Sequence, residues 1–522
     1  MQLNRRESQL RHLLLDVSKY INKSRVTEQP LVIRWAGGWV RDKVLGIETH
    51  DIDVAINLMT GVDFAQRMCA YCSTEEAIRK YSIKSDDIGN LHNVARNPDK
   101  SKHLETAMLR IFGLDLDLVN LRKEQYAETS RNPVVEFGTP EEDALRRDAT
   151  INALFYNLHT NEIEDFTGGL QDLAGKVVRT PLNPLETFKD DPLRVLRLVR
   201  FASRLDFTIH DDTRNVMANE QVLKALQVKI SRERVGNELE KMLKGRRPSS
   251  ALELVDKLHL YHAIFTCSNW ELFTKPDTSR WHVAYECLND LLQDTNPGSI
   301  GQFLVRSEDA AYVAWNLAAL SPWMRINDPP EEYHGGLRKA NKLPPVSIAA
   351  REGFKAPNKL TITITASHRH RKEIMEMKMA TSSNESVTIA RDTLGMAIRA
   401  WDSHGGQWTL QVLSALMVDA LENLHTWPKA GDTARDEFLS GWQIFINKIC
   451  EMDVYDASAV KLLLDGRTLA RALGVPPGKW TGKALDVCME WQFRNPHEVN
   501  PNGAIEEIKR CRDELGIPRP DN

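Results

Sequence analysis

Cysteine is scarce and unpatterned here: seven residues, an odd number, are scattered through 522 positions. That excludes a disulfide framework and favours a reducing compartment. Cys69 and Cys72 form a CxxC, but no second pair stands at zinc spacing, so a structural or incidental role is expected for them. Long apolar runs are also missing. No segment approaches the roughly 18 uninterrupted apolar residues of a membrane helix, and no signal-peptide apolar region opens the chain, so a soluble, non-secreted protein is expected. Nor is there a large excess of either charge. The formal net charge of −4 argues against indiscriminate adhesion to nucleic acid.

What is present is an ordinary folding composition, 42% hydrophobic and 27% charged, over a length sufficient for several domains. Leu10, Leu13, Leu14, Val17 and Ile21 recur at helical spacing. Glu7 and Asp16 among them argue against a transit peptide, so a docked first helix is expected. From about residue 30 to 180 the pattern is mixed α/β: LVIRWA, a helix after GGWVRD, DIDVAINL, and a helix from Gly61 to Cys72. LRIFGLDLDLVNL and INALFYNLHTNEIEDF follow, both alternating, with a hairpin turn at TNE. After Asp190 the periodicity becomes helical, with KLTITITAS (359–367) read as the one strand-like exception. The expectation is an α+β protein with four parts: an α/β head with a small mixed sheet (1–180), then an all-helical neck (181–247), body (248–400) and tail (401–522). Basic residues gather in RRD (146–148), LRVLRLVRFASR (193–204), SRER (231–234), KGRR (244–247) and HRHRK (368–372), where a helix face could follow a phosphate backbone.

The chemistry concentrates in GGWVRDKVLGIETHDID, residues 37–53. Asp51 and Asp53 alternate on an expected strand, so both carboxylates can face one site and share hard, oxygen-seeking Mg²⁺ ions. Two such ions about 4 Å apart can activate an attacking hydroxyl and steady a leaving pyrophosphate. Gly37 and Gly38 let backbone N–H groups approach a phosphate closely. Arg41 and Asp42 are expected to open a helix, with Asp42 in its first turn. A GG alone is a turn and a DxD alone a solvated strand end; strand, GG, RD and DxD together are the signature of nucleotidyl transfer.

Asp115 and Asp117 form a second alternating pair. One of them, Asp117 by preference, is a candidate third carboxylate, with a salt bridge to nearby Arg122 or a strand edge as the alternative. Arg146, Arg147 and Asp148 precede Asn152, offering bidentate donors for triphosphate oxygens and acceptors for ribose hydroxyls. In DDPLRVLR a helix is expected to begin near Pro192, which would place Asp191 and Arg194 on one face with Arg197 a turn further on. His210-Asp211 suggests a phosphohydrolase dyad but has no partner histidines at metal spacing, so Asp211 is read as a helix N-cap.

GGWVRD…DID, RRDATINALFYN, EDFTGGLQDL, DDPLRVLRLVRF and ISRERVGNELEKML, in this order, resemble the class II tRNA nucleotidyltransferases, the CCA-adding enzymes, in their fungal-like form. DGRTLARALGVPPGKW and ALDVCMEWQFRNP extend the likeness into the C-terminal half. The resemblance implies a curved head, neck, body and tail that grip the acceptor and TΨC arm of tRNA, adding CTP twice and ATP once. It implies Asp51 and Asp53 as metal ligands for Mg²⁺, and Gly37, Gly38 and Arg41 in the triphosphate frame. Arg147, Asp148 and Asn152 would hold ribose and phosphates. Asp191 and Arg194 would read the Watson–Crick edge of the incoming base, and 165–172 would be a hinge. Where this family commonly carries Glu-Asp-x-x-Arg, this chain has Asp190, one methylene shorter. Arg232, Arg234 and Lys241 are candidate tRNA-backbone contacts. A monomer is expected, in the nucleus, cytosol or mitochondria. The rivals are a poly(A) polymerase or a partial CC- or A-adding enzyme with the same head, and a non-catalytic RNA-binding protein.

Overall fold

The computed structural model describes residues 1–24, 29–83, 92–93, 106–125, 134–266, 275–328, 343–382 and 389–519. The chain divides into two compact units, Met1–Ala263 and Ile264–Asn522.

The first unit opens with helix α1 (Arg5–Lys23), closed at its start by a capping box between Asn4 and Glu7. The five apolar residues read at helical spacing are fully buried, so the helix docks as expected. Strand β1 (Ile33–Ala36) leads into α2 (Gly38–Val44) and returns as β2 (Asp51–Ile56); α3 (Gly61–Cys72) and α4 (Glu75–Tyr81) follow. The helix opens at Gly38, three residues before the expected start. Asp42 is therefore in the second turn, and its carboxylate binds Arg41. The sheet continues through β3 (His92–Asn93), β4 (Ala107–Ile111) and β5 (Leu114–Asn120), while β6 (Arg122–Gln125) and β7 (Val134–Phe137) form a separate ribbon. Helix α5 (Pro140–Leu145) and a 3-10 turn (Thr150–Asn152) lead to the hairpin β8 (Leu154–Asn157) and β9 (Glu162–Asp165); its turn holds Thr160 and Asn161 of the expected TNE segment, and Glu162 opens β9.

Among the described residues the main sheet has seven strands in the order β3-β4-β5-β2-β1-β8-β9. β2 and β5 are parallel and the other pairs antiparallel, so the sheet is mixed, as expected. One consequence decides the chemistry: the register places Asp51 beside Asp115 and Asp53 beside Asp117. Trp35, Trp39 and Tyr156 pack together, with ring centroids 4.5–6.2 Å apart. Ala36, Ala55, Ala144, Ala153, Leu121 and Phe155 form a buried cluster whose small members allow backbone to approach closely.

The rest of this unit is helical apart from a two-strand contact, β10 (Val177–Val178) with β11 (Thr208–Ile209). Its helices are α6 (Gly169–Gly175), α7 (Pro184–Asp190), α8 (Arg194–Leu205), α9 (Asp211–Met217), α10 (Glu220–Lys229), α11 (Arg232–Leu243) and α12 (Pro248–Lys257). Helix α8 begins two residues after Pro192, and α7, which the sequence reading missed, ends just before Asp191. His210 is the N-cap of α9, which makes Asp211 its first helical residue rather than its cap.

The second unit is helical throughout its described residues. KLTITITAS is not a strand but part of the helix Asn358–Ser382. Thr361, Thr365 and Ser367 turn their hydroxyls back to the carbonyls four residues earlier, which satisfies these hydroxyls inside a helix. Leu360 and Ile364, four apart, are buried while Ile362 is exposed, so the burial has helical rather than strand period. HRHRK belongs to the same helix, where Arg371 pairs with Glu422 and His370 with Gln411. Trp281, Trp323, Trp401 and Trp442 are fully buried in this unit. Leu464, Leu469, Leu473, Trp480 and Ile508 belong to a cluster near the C-terminus. Among the described residues no helix is long and apolar enough to cross a membrane.

Candidate active site

The floor of the site is the β2–β5 pair. Asp51 and Asp115 are exposed, whereas Asp53 and Asp117 are half-buried on their neighbouring strands. Asp115 is drawn to Arg110, 3.5 Å away across β4. That leaves Asp117 as the member of its pair that bears on Asp53. Burial raises the Asp53 carboxyl above the ordinary carboxylate value; Arg147 opposes the rise, while Asp51 and Asp143 add to it. Asp117 is raised by burial and then by Asp53, Asp51 and Asp115. Crowded carboxylates that resist ionisation are a donor set a divalent cation would relieve. Among the described residues no three His, Cys, Asp or Glu side chains enclose a metal by themselves. Mg²⁺ is usually held by one or two carboxylates with water and substrate phosphates completing its shell, and Asp51 and Asp53 fit that pattern.

Gly37 forms the wall beside them. Its φ of +67° and ψ of −127° lie where only glycine sits comfortably. A Cβ there would stand 2.7 Å from Arg147 Nη1 and 3.4 Å from Asp53 Oδ2. Glycine, arginine and carboxylate therefore meet at one point. Gly37→Ala is expected to lose about 1–3 kcal/mol of stability, together with a raised nucleotide KM; an unchanged thermal midpoint would contradict the strain.

A buried frame holds Arg147. Asp143, which the sequence reading missed, lies four residues before it on α5. Asp143 receives Arg147 Nε and Nη2 at 3.0 Å, Arg146 Nη2 at 2.6 Å and the Arg122 backbone N–H at 3.2 Å. Burial alone would raise the Asp143 carboxyl, but Arg147 and Arg146 hold it below the ordinary value. Its i,i+3 and i,i+4 spacing to the two arginines was the available signal. Arg147 Nη1 also donates to the Asn152 carbonyl at 3.0 Å.

Arg41, Asn152, Asp148 and Arg197 form a chain behind the glycine. Arg41 Nη1 donates to Asn152 Oδ1 at 2.5 Å and its Nε to Asp42 at 2.7 Å; Asn152 Nδ2 donates to Asp148 at 3.2 Å, and Arg197 Nε to the other Asp148 oxygen at 2.6 Å. Arg41 is buried, and that burial lowers its affinity for a proton. Both ends of the Asn152 amide and both oxygens of Asp148 are engaged. Asp148 and Asn152, which the resemblance gives to ribose and phosphate, are bonded to each other and to Arg197 and Arg41 in this frame.

Burial would raise Asp148, but Arg197 and Asn152 bring it down to about 2. Because the folded value lies below the ordinary 3.8, this stabilisation is fully present above about pH 4 and fades as pH falls through about 2. It is worth about 2 kcal/mol. Asp148→Asn should therefore be less stable than the parent at pH 5 by roughly that amount, with a shallower loss of stability between pH 5 and 3 in urea unfolding. Parallel curves would contradict the assignment.

The expected base reader is arranged differently from an i,i+3 pair on one helix. Asp191 is the C-cap of α7; its Oδ1 accepts the Leu193 N–H at 3.2 Å and its Oδ2 accepts Arg234 Nη2 at 2.8 Å. Arg194 opens α8, is buried, and donates through Nη2 to the Arg146 carbonyl at 2.8 Å. Asp190 ends α7, its carboxyl raised by burial against the pull of Arg194. Of the candidate tRNA contacts, Arg232 is engaged internally, with Nη1 on the Ala263 carbonyl and Nη2 on that of Gln227, and Arg234 is turned to Asp191. Lys241 is exposed. In the expected hinge, Asp165 accepts the N–H groups of Thr167, Gly169 and Leu170, and a Cβ on Gly169 would collide with the Thr150 carbonyl.

Paired acids on adjacent strands, with a strained glycine and an arginine converging on them, define a nucleotidyltransferase head. Residues 33–179 match the family described as "Poly A polymerase head domain", and 206–268 match "Probable RNA and SrmB- binding site of polymerase A". The chain is 60% identical to nucleotidyltransferase lcsQ of Purpureocillium lilacinum, over 99% of this chain and 93% of that one. It is 37% identical to the mitochondrial CCA tRNA nucleotidyltransferase of Saccharomyces cerevisiae, over 92% of this chain and 87% of that one. The Thermotoga maritima CCA-adding enzyme, solved in complex with tRNA, shares the fold with a TM-score of 0.60 at 18% identity, covering 98% of this chain and 96% of that one. The chain belongs to the CCA tRNA nucleotidyltransferase family, whose members use divalent metal.

Proposed function

We propose that this protein builds the CCA end of tRNA, adding two cytidylates from CTP and one adenylate from ATP to the 3′ end without a nucleic-acid template and releasing pyrophosphate at each step. The observation that carries this reading is the convergence of Asp53, Asp117, Gly37 and Arg147 at one point of the head. The yeast and Thermotoga relatives, by name CCA-adding enzymes, support tRNA as the acceptor.

Asp51 and Asp53 would hold Mg²⁺, with Asp117 as a third acid beside Asp53. Bound there as a pair of ions, Mg²⁺ would help ionise the attacking 3′ hydroxyl and offset charge on the leaving pyrophosphate. Gly37 and Gly38 let the triphosphate lie close to backbone, and Arg147, fixed by Asp143, supplies positive charge at that point. Arg41, Asp148, Asn152 and Arg197 keep this wall rigid. Asp191 and Arg194 take the Watson–Crick edge of the incoming base. Cytosine and adenine both present an amino donor beside a ring-nitrogen acceptor, whereas uracil and guanine reverse that order. Lys241 contacts the RNA backbone, and 165–172 resizes the reader between C and A. The head, neck, body and tail divide at the boundaries read from the sequence, and the protein acts as a monomer. The mitochondrial naming of the yeast relative supports action in mitochondria, alongside nucleus and cytosol.

Pyrophosphate stoichiometry tests the reading. A tRNA lacking CCA should release two equivalents with CTP alone and three with CTP and ATP. Release that continues with ATP well beyond one equivalent would indicate a poly(A) polymerase, the reading suggested by the name of the head family.

A further inference from the structure

Arg234 was a candidate for the RNA backbone, and its guanidinium is turned to Asp191. Its Nη2 reaches across from α11 to Asp191 Oδ2 at 2.8 Å. The other oxygen of the same carboxylate accepts the Leu193 N–H at 3.2 Å. A carboxylate is broad in its final torsion, so one hydrogen bond leaves its plane free to swing. Two, from different directions and different elements, fix it. The remaining lone pairs of Asp191 then point in set directions, which is what discrimination between an amino group and a carbonyl on a base edge requires.

The support behind Arg234 is itself rigid. Two residues earlier on α11, Arg232 is tied to the carbonyls of Gln227 and Ala263. Four residues after Arg234, the buried Glu238 takes Arg200 Nε at 2.6 Å. The Arg234–Asp191 contact, by contrast, is partly solvated, with side chains 37% and 19% exposed. Pairs of that kind add little to stability. Arg194, the other reader, is held by a different element, through the Arg146 carbonyl at the end of α5.

We propose that Arg234 is a positioning residue for nucleotide choice, orienting the Asp191 carboxylate toward the incoming base instead of binding tRNA. The inference rests on Asp191 being a base reader. Its test uses the full chain with a tRNA lacking CCA and one ending in CC. For the parent, Arg234→Ala, Arg234→Lys and Asp191→Ala, kcat and KM are measured for CTP, ATP, UTP and GTP, with tRNA affinity at several salt concentrations. Arg234→Ala should lose tenfold or more of the CTP-over-UTP preference, while tRNA affinity and its salt slope stay within twofold. Arg234→Lys, able to reach with one donor, should recover part of the preference. Combining Arg234→Ala with Asp191→Ala should cost no more discrimination than Asp191→Ala alone, because the two act through one carboxylate.

Unchanged discrimination in Arg234→Ala, with discrimination lost in Asp191→Ala, would overturn the inference and leave the base reader standing. Discrimination intact in both would remove the base-reading assignment itself. Weaker tRNA binding and a smaller salt slope, with nucleotide choice intact, would return Arg234 to the RNA backbone and equally overturn the inference.

Discussion

Asp51→Ala and Asp53→Ala should each slow nucleotide addition by a thousandfold or more at saturating CTP, equivalent to about 4 kcal/mol of lost transition-state stabilisation. The fold should survive. Asp51 is exposed at the first position of β2, and no ion pair among the described residues anchors it. Asp53 and Asp117 are both raised in part by the charge of Asp51, so removing it relieves repulsion. The thermal midpoint of Asp51→Ala should therefore hold or rise while activity collapses. Single-turnover rates at saturating tRNA, read beside a melting curve, check both halves. Activity near that of the parent would remove the metal site, and a collapsed midpoint would make Asp51 a structural residue.

Asp191→Ala should abolish or relax nucleotide choice while leaving tRNA bound. In the proposed reading its carboxylate accepts the amino group that cytosine and adenine share, and an unpaired polar group in a desolvated site costs about 1–3 kcal/mol. A loss of roughly tenfold to a hundredfold in preference for CTP over UTP follows from that range. Arg194→Ala should act in the same direction, with an added loss of stability because Arg194 is buried and holds the Arg146 carbonyl. Steady-state competition between CTP and UTP on one tRNA measures this. Parental discrimination in Asp191→Ala would show that selection lies elsewhere.

Much of the head was legible because its signals are local. Helix α3 spans Gly61–Cys72, the bounds read from the sequence, and the hairpin turn after β8 follows from alternation broken near TNE. The pairing of Asp53 with Asp117 was legible only as a preference, since alternation tells which residues share a face but not which strands are neighbours. The parallel register sets Asp117 beside Asp53, while Asp115 lies 3.5 Å from Arg110.

The misses share one cause, contacts made at long sequence separation or by backbone. The Thr-Ile alternation at 359–367 satisfied a strand pattern, but hydroxyl bonds to preceding carbonyls let the same residues lie in a helix packed in a helical unit. The partners of Arg232 and Arg234, candidates for the tRNA backbone, were equally out of sight: one meets two carbonyls and the other a carboxylate 43 residues away. Gly37, starting α2 early through a positive φ, displaced Asp42 from the first turn into the grip of Arg41. A charged residue's type shows what it can bind; whether it faces solvent depends on partners that spacing alone does not reveal.

The most direct measurement is extension of one tRNA lacking its 3′ CCA in the presence of Mg²⁺, resolved at single-nucleotide length, with CTP alone, ATP alone and both. The structure and its relatives lead to growth by two with CTP, none with ATP alone, and a stop at three with both. Long A-tails, or no extension under any of the three conditions, would contradict the account.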